Sequence, residues 1–341
     1  MDSNWGGRGV SVKKDIFVFQ NGTIERHDNT ILLEMDGKKH YVPVTDIAAI
    51  HILGEVTVNK RLLEFLTEKH ILLHYYNYYG YYVGTYYPRE FLNSGFVILK
   101  QCEGYLNAEK RLNLAQCFIK GATKNILQVL KYYNRRGKDL KEKIDQIEEL
   151  HNMLEQQDTV EKVMAIEGNI RQIYYSCFNT IIDQPEFQFS SRSKRPPKDK
   201  INALISFGNT IVYNTVLSQI YQTQLDPRIG YLHSTNERRF SLNLDISELF
   251  KPIIVDRAIF SLLNKKVITS GDFKGEMGGI LLKDSAKKAF IQEITDKLNT
   301  TVALPDIEHR VSYRGLIRME AYKVQKYLTE DEVYKPFVMR W

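Results

Sequence analysis

The sequence predicts an α+β protein of two domains, a small N-terminal β-rich domain followed by a larger, mostly α-helical C-terminal domain. From Asp15 to about Tyr87, short β-branched and aromatic runs alternate with turn pairs such as Asn21-Gly22 and Asp36-Gly37. Beyond Pro88 the apolar residues take the spacing of long amphipathic helices. We therefore place a β-rich domain at residues 12–88, a linker at 89–100 and a helical domain at 101–341.

The N-terminal domain is expected to contain one helix and a tyrosine-rich hairpin. Asn59 is suited to cap a helix whose apolar stripe begins at Leu62. Eight tyrosines lie between positions 75 and 87, separated by Asn77, Gly80 and Gly84. They fit a hairpin that packs on the core and on a second subunit, so the domain is predicted to form a homodimer. Stacking of bases from a single strand is the alternative.

In the second domain the helical pattern covers five segments. A basic loop lies between the third segment and the fourth. The predicted helices are Leu106 to Tyr133, Leu140 to Leu154, Val160 to Ile182, Lys283 to Leu298 and Arg314 to Leu328. Residues 189–200 must form a loop, because Pro196-Pro197 cannot continue a helix.

The composition indicates a globular protein, and its mild basic excess is compatible with an anionic partner without deciding the class. Of its 341 residues 43% are hydrophobic and 26% charged, and the net charge is +6. Three cysteines without paired spacing predict neither a disulfide framework nor a zinc knuckle, which fits the cytoplasm. The sequence contains no run apolar enough to span a bilayer. Residues Met1 to Ser11 are expected to be a leader or a loose terminus.

Several enzyme classes have little support in the motifs. The chain lacks a Walker-type phosphate loop, a G-x-S-x-G elbow and a Cys-His arrangement with a supporting motif. Nucleotide hydrolysis and nucleophilic serine or cysteine chemistry are therefore disfavoured.

Four residues have the chemistry of a site for one hard metal ion. Asp245 and Glu248 are three positions apart, so a helix over Leu242 to Phe250 would place both on one face. His233 precedes Asp245 by twelve positions, and Glu167 would come from a separate helix. Carboxylate and imidazole ligands suit Mg²⁺ or Mn²⁺, which activate phosphodiesters.

Each of these residues also has a simpler interpretation. Glu167 fits a solvent-facing side chain or a partner of Arg171, four positions later. His233 fits a loop histidine that binds backbone groups, and the two acids of the helix fit a solvated face or an N-terminal turn.

Basic residues near this set are candidates for contact with a phosphate backbone, although solvent exposure alone would also explain them. The predicted nucleic-acid-binding residues are Arg192, Arg195, Lys198, Arg238, Arg239 and Lys251.

Over nearly its whole length the chain resembles the universal CRISPR-associated integrase family. The motifs that carry this resemblance, in chain order, are Asn21-Gly-Thr-Ile, His27-Asp-Asn-Thr-Ile, Tyr82-Val-Gly-Thr-Tyr-Tyr-Pro-Arg, Ala165-Ile-Glu-Gly, Arg195-Pro-Pro-Lys-Asp, Asn202-Ala-Leu-Ile-Ser-Phe-Gly208, Gly230-Tyr-Leu-His233, Arg239-Phe-Ser-Leu-Asn-Leu-Asp245-Ile-Ser-Glu248-Leu-Phe-Lys-Pro252 and Val255-Asp-Arg257. The long His loop is most similar to the branch that accompanies type I-B systems.

The resemblance implies a metal-dependent endonuclease and integrase of adaptive antiviral defence, with the helical domain catalytic. It implies Glu167, His233 and Glu248 as ligands of Mg²⁺ or Mn²⁺, with Asp245 as an auxiliary catalytic residue that orients the histidine or acts through water. It further implies a homodimer that works on double-stranded DNA with a small ferredoxin-like partner bridging two dimers. In the implied reaction, a 3′-hydroxyl of a short duplex attacks a phosphodiester in the CRISPR array. A nuclease that only degrades DNA or RNA, and a scaffold that binds DNA without chemistry, are the competing hypotheses.

Overall fold

The computed structural model describes residues 13–92, 94–233, 240–276, 278–304 and 307–340. The chain forms two compact units, Met1–Phe91 and Leu92–Trp341. The first is β-rich and the second is mostly helical, so the predicted α+β class is confirmed. The boundary falls three residues after the predicted one, and the predicted leader lies outside the described residues.

The N-terminal unit contains two four-stranded sheets. One has the order β1-β5-β7-β8, in which β1, β5 and β7 are parallel and β8 is antiparallel to β7. The other has the order β4-β3-β2-β6, with β6 parallel to β2. The strands are β1 Lys14–Val18, β2 Gly22–His27, β3 Thr30–Met35, β4 Lys38–Pro43, β5 Ile47–Ile52, β6 Val56–Val58, β7 Leu72–Tyr76 and β8 Tyr82–Tyr86.

Turn and cap signals in this unit act as the sequence predicts, with one exception. Helix α1, Lys60–Glu68, begins after Asn59, whose side chain accepts a hydrogen bond from the Leu62 backbone N–H. Asp36 and Gly37 both have positive φ and join β3 to β4. Asn21-Gly22 does not close a hairpin, because β1 and β2 belong to different sheets.

Apolar residues from both sheets and from α1 form the core of the N-terminal unit. In the parallel strands β5 and β7, the side chains that alternate with these core residues lie on the opposite face of the sheet. This opposite face buries His51 and His74, whose rings lie 4.7 Å apart between centroids. Nδ1 of His51 lies 2.8 Å from the Tyr76 hydroxyl, and Nδ1 of His74 lies 2.8 Å from Oγ1 of Thr85. The tyrosine hairpin is therefore tied to its sheet by polar as well as apolar contacts.

The helical unit contains ten α-helices and two hairpins among the described residues. The helices are α2 Gly95–Leu106, α3 Ala108–Asn134, α4 Lys141–Asn152, α5 Val160–Ser176, α6 Phe178–Ile182, α7 Lys200–Ile220, α8 Leu242–Lys251, α9 Arg257–Asn264, α10 Asp284–Asn299 and α11 Tyr313–Glu330. The hairpin strands are β9 Phe273–Glu276 with β10 Gly279–Leu282, and β11 Thr301–Leu304 with β12 Ile307–Ser312.

One boundary predicted for this unit is wrong, and the hairpins are absent from the predictions. The predicted linker 89–100 contains the start of α2, because Ser94 caps a helix by accepting from the Val97 N–H. The hairpin of β9 and β10 was not predicted, since its strands are only four residues long and Gly278, with φ +73°, lies in its turn. The predicted loop at 189–200 is present between α6 and α7.

Helices α8 and α9 form one continuous helical segment through a π-helical turn, Pro252–Asp256. Pro252 has no N–H to donate to the carbonyl of Glu248, so the regular α-helical pattern cannot pass through it. Helix α8 packs against α3 and α7, which buries nearly all of its residues.

The described helices include none with the length and apolar character needed to cross a bilayer. Cys102, Cys117 and Cys177 are free thiols, as the sequence predicts.

Candidate functional site

Glu167 lies at the edge of the buried face of α5. Thr159 caps this helix through the Lys162 N–H, and Val163, Ile166 and Ile170 point into the core. Glu167 follows Ile166 and is half-buried, while Gly168 beside it is exposed. Apart from its chain neighbours and its own helix, a Cβ added to Gly168 would meet no atom within 4 Å, so the space at Gly168 is open.

Glu248 and Asp245 both leave α8 toward the protein interior, as their spacing predicts. Glu248 is 4% exposed and Asp245 fully buried. A buried carboxylate is costly unless it is paired or hydrogen-bonded, so each must have partners.

Two cations neutralise Glu248. Nη2 of Arg171 donates to its Oε2, and Nζ of Lys251 donates to its Oε1. Both cations are themselves buried. Burial raises the pKa of Glu248, but Lys251, Arg171 and His233 together hold that pKa well below its usual range. Glu248 is therefore an anion at neutral pH.

Arg171 joins Glu248 to Glu167. Its Nε lies 3.0 Å from Oε1 of Glu167, four positions earlier on the same helix, while its Nη2 reaches across to α8. The ion pair of Glu167 with Arg171, which the sequence left open as an alternative, is thus present. This ion pair does not exclude Glu167 from the candidate site, because the guanidinium of Arg171 also contacts Glu248.

Asp245 organises the loop that carries His233. Its Oδ2 accepts hydrogen bonds from the Tyr231 N–H at 2.6 Å and the Leu232 N–H at 3.0 Å. Its Oδ1 lies 3.0 Å from the His233 backbone N and 2.8 Å from Nδ1 of the same ring. With Nδ1 engaged, Nε2 is the ring nitrogen left for another ligand.

Asp256 is a third buried carboxylate in this region. It lies on the π-helical turn and is 2% exposed. Burial raises the pKa of Asp256 to about 6, against the opposing effects of Arg171 and Tyr174.

The predicted DNA-contacting residues fall in three environments. Arg195 and Lys198 are exposed on the loop before α7. Arg192 instead bonds Asn202 and Ser206 on α7, and Lys251 is buried against Glu248. Arg238 and Arg239 lie outside the described residues.

The structure brings Glu167, Glu248, His233 and Asp245 into one region. Within the ranges that are described, however, no three His, Cys, Asp or Glu side chains lie close enough to hold a metal ion in this arrangement. In this arrangement the guanidinium of Arg171 contacts both glutamates. The donor set still fits a hard divalent cation, because it already binds one cation with two carboxylates and presents one oriented imidazole.

Sequence reasoning missed the roles of Arg171, Lys251 and Asp256 in this cluster. Spacing gave a partial signal, since Arg171 is four positions from Glu167 and Lys251 three from Glu248 on their helices. The contact from Arg171 to Glu248 spans 77 positions and has no local signature.

Comparison with known proteins identifies the family. Residues 16–296 match the family described as CRISPR associated protein Cas1. A CRISPR-associated endonuclease Cas1 2 from Thermodesulfovibrio yellowstonii is 53% identical over 330 residues, covering 97% of this chain and all of the relative. The solved structure of a Cas1 protein from Thermotoga maritima is 44% identical, with a TM-score of 0.85 over 94% of this chain and 98% of that one. A casposase bound to integration product shares the fold alone, at 20% identity, a TM-score of 0.82, and coverage of 94% and 91%. The chain therefore belongs to the Cas1 family of CRISPR-associated proteins.

Proposed function

We propose that this chain is a divalent-metal-dependent DNA endonuclease and integrase that inserts short DNA spacers into a CRISPR array. The observation that carries the proposal is the pair of carboxylates, Glu167 and Glu248, held by one cation beside an imidazole whose Nδ1 is already bound. Relatives such as the Thermodesulfovibrio protein bear the name endonuclease, which supports phosphodiester chemistry.

Glu167, Glu248 and Nε2 of His233 would hold the ion, which is Mg²⁺ or Mn²⁺. When bound, such an ion supplies Lewis acidity toward a phosphate oxygen and stabilises the charge added to it. Asp245 would act as a positioning residue, because its carboxylate fixes both the loop and the ring of His233.

The chain's own residues would bind and orient the DNA. Arg195 and Lys198 are exposed and suited to phosphate contact, and Arg238 and Arg239 remain candidates from the sequence. The open space at Gly168 would let a DNA backbone approach Glu167 closely.

In the proposed reaction the 3′-hydroxyl of a spacer end attacks a phosphorus atom at the repeat boundary. A bond forms from that oxygen to phosphorus, the bond from phosphorus to the repeat's own 3′-oxygen breaks, and the attacking hydroxyl loses its proton as the leaving oxygen gains one. Because one phosphodiester replaces another, the step needs neither a covalent enzyme intermediate nor an energy source. Water in place of the 3′-hydroxyl gives hydrolysis.

We further propose that the protein acts as a homodimer through its N-terminal unit and with a small ferredoxin-like partner, as the family resemblance implies. Tyr78 in the turn and Val83 on β8 are 62% and 64% exposed and supply apolar surface for such a dimer. Sedimentation analysis of the wild type and of a Tyr78→Ser, Val83→Ser variant would test the dimer. A monomeric wild type would contradict it.

Integration is tested with a supercoiled plasmid that carries a repeat array, labelled duplexes with free 3′-hydroxyls, the partner protein and Mn²⁺. The proposal predicts covalent transfer of label to the array, lost in Glu167→Gln and His233→Ala. Cutting without joining would favour a nuclease that only degrades DNA. DNA binding without cutting or joining, in the wild type as in both variants, would leave only a DNA-binding scaffold.

A further inference from the structure

Residues 226–233, which we call the His233 loop, are held by α2 as well as by α8. Gln101 lies on the inner face of α2 and is fully buried. Its Nε2 donates to the backbone carbonyl of Asp226 at 3.1 Å, and its Oε1 accepts from the Asp226 N–H at 2.8 Å. One side-chain amide therefore binds both backbone groups of the first residue of the loop, 125 positions away in the sequence.

Tyr231 connects the other end of the same loop to α2 and α3. Its hydroxyl donates to the backbone carbonyl of Gln101 at 3.2 Å, and its own carbonyl accepts from Nε of Arg111 at 3.1 Å. The fully buried ring lies beside Gly104, where an added Cβ would be 3.6 Å from the ring. The loop thus contacts α2 two positions before His233.

Side chains, and not a backbone ladder, fix the course of this loop. Residues 226–233 contain neither helix nor strand. The N–H of Asp226 binds Gln101, that of Gly230 binds Oγ of Ser241, and those of residues 231–233 bind Asp245. A loop that is fixed at one end only keeps torsional freedom, so the anchors at both ends together determine where its residues lie.

We propose that Gln101 is a positioning residue for His233: its amide fixes the start of the His233 loop, as Asp245 fixes its end, and both are needed to place the imidazole. Where it concerns DNA cleavage, this inference rests on the proposed function, because it assumes that His233 takes part in that reaction. The fixing of the loop by α2 requires neither metal nor DNA.

Hydrogen exchange of the whole metal-free protein, followed by mass spectrometry of peptides that cover 226–233, tests the anchor. Gln101→Met keeps the length of the side chain and removes both hydrogen bonds. We expect the amides of this loop, including those bound to Asp245, to exchange about tenfold faster than in the wild type. Wild-type exchange at residues 230–233, or an equal acceleration throughout the helical unit, would overturn the proposal.

Tyr231→Phe provides a second variant in case Gln101→Met folds poorly. It keeps the buried ring and removes only the hydrogen bond to the Gln101 carbonyl. The same peptides should exchange about threefold faster, since one bond is lost in place of two. If Gln101→Met does not fold and Tyr231→Phe exchanges like the wild type, the proposal fails.

Gln116→Met is the matched control. Gln116 is also a helix glutamine whose Nε2 donates to a distant backbone carbonyl, that of Gln157 at 2.9 Å, but it does not contact the His233 loop. Exchange of residues 226–233 in this variant should equal that of the wild type.

DNA affinity and DNA cleavage in Mn²⁺ separate this inference from the proposed function. Gln101→Met should bind duplex DNA like the wild type and cleave it about tenfold more slowly, because a displaced His233 affects the chemical step and not the exposed basic side chains. Wild-type cleavage despite faster exchange of the loop would overturn the positioning role and leave the proposed function standing. A wild type that does not cleave DNA would contradict the proposed function, and the exchange data alone would then decide whether Gln101 fixes the loop.

Discussion

Oδ1 of Asp245 lies 2.8 Å from Nδ1 of His233 and 3.0 Å from its backbone nitrogen, so a single carboxylate oxygen fixes both the ring and the main chain of that histidine. The other oxygen accepts two more backbone N–H groups of the same loop. The imidazole therefore reaches the site with its rotation already set by α8.

Replacing Asp245 with Asn should damage the loop and the metal site together. The amide loses the negative charge and one acceptor, and its NH₂ group would face backbone donors. We expect the free energy of unfolding to fall by about 1–3 kcal/mol and Mn²⁺ affinity to fall about 10–100-fold. Denaturant unfolding and calorimetric titration measure the two effects.

Asp226→Asn provides the control for that experiment. Asp226 also accepts from a loop N–H, that of Arg228 at 2.8 Å, but it does not contact His233. Its replacement should leave Mn²⁺ affinity unchanged. If Asp245→Asn bound Mn²⁺ as well as Asp226→Asn does, orientation by Asp245 would have no role in metal binding.

Lys251 is predicted to stabilise the fold through Glu248. Its removal in Lys251→Gln leaves a buried carboxylate with one counterion fewer, which should lower the free energy of unfolding by about 3 kcal/mol. Urea titration measures this loss. Lys60→Gln, which breaks the exposed pair with Glu64, should change stability little. Equal stability of both variants would show that the buried pair contributes nothing.

Replacing Gly168 with Ala should raise the stability of the protein and hinder the approach of DNA. Gly168 lies exposed within α5, where Ala is preferred, so Gly168→Ala should raise the free energy of unfolding by about 1 kcal/mol. DNA cleavage by the variant should fall, because the added methyl group fills the space beside Glu167. Asn169→Ala, on the same exposed turn, should gain stability without losing cleavage. A Gly168→Ala enzyme with full activity would show that DNA does not pass there.

His74 should make the N-terminal unit sensitive to acid. Burial, and then the charge of His51, hold the pKa of His74 well below its usual value of 6.5, with Asp15 opposing. The unfolded chain binds a proton below about pH 6.5 and the folded chain does not, so stability present above that pH is lost as the pH falls. The loss is about 1.4 kcal/mol per pH unit at most.

The measurement for His74 is the free energy of unfolding at pH 7.5 and pH 5.5. The wild type should lose more stability between these values than His74→Leu, which has no proton to bind at this position. An equal loss in both proteins would contradict the assignment of this pH dependence to His74.

The fold could be predicted where its signals are local. The Asn59 cap and the apolar stripe define α1, and the spacing of Asp245 and Glu248 predicts their common face on α8. The hairpin of β9 and β10 could not be predicted, because four-residue strands with glycines have weak propensity and depend on tertiary contacts such as that of Ile280 with Pro197.

The sequence predicts which residue types form the site, but not which side chains pair with one another. The sequence named Glu167, His233, Asp245 and Glu248 and the alternative pair of Glu167 with Arg171. That this arginine also reaches Glu248, and that Lys251 faces inward, follow from how α5 packs near α8, which spacing along one helix cannot show.

The most direct test of the account is anomalous X-ray scattering from crystals soaked in Mn²⁺. The account predicts one anomalous peak per chain in contact with carboxylate oxygens of Glu167 and Glu248 and with Nε2 of His233, and its loss in Glu167→Gln crystals. A peak bound by other residues, or an undisturbed bridge from Arg171 to both glutamates at saturating Mn²⁺, would contradict it.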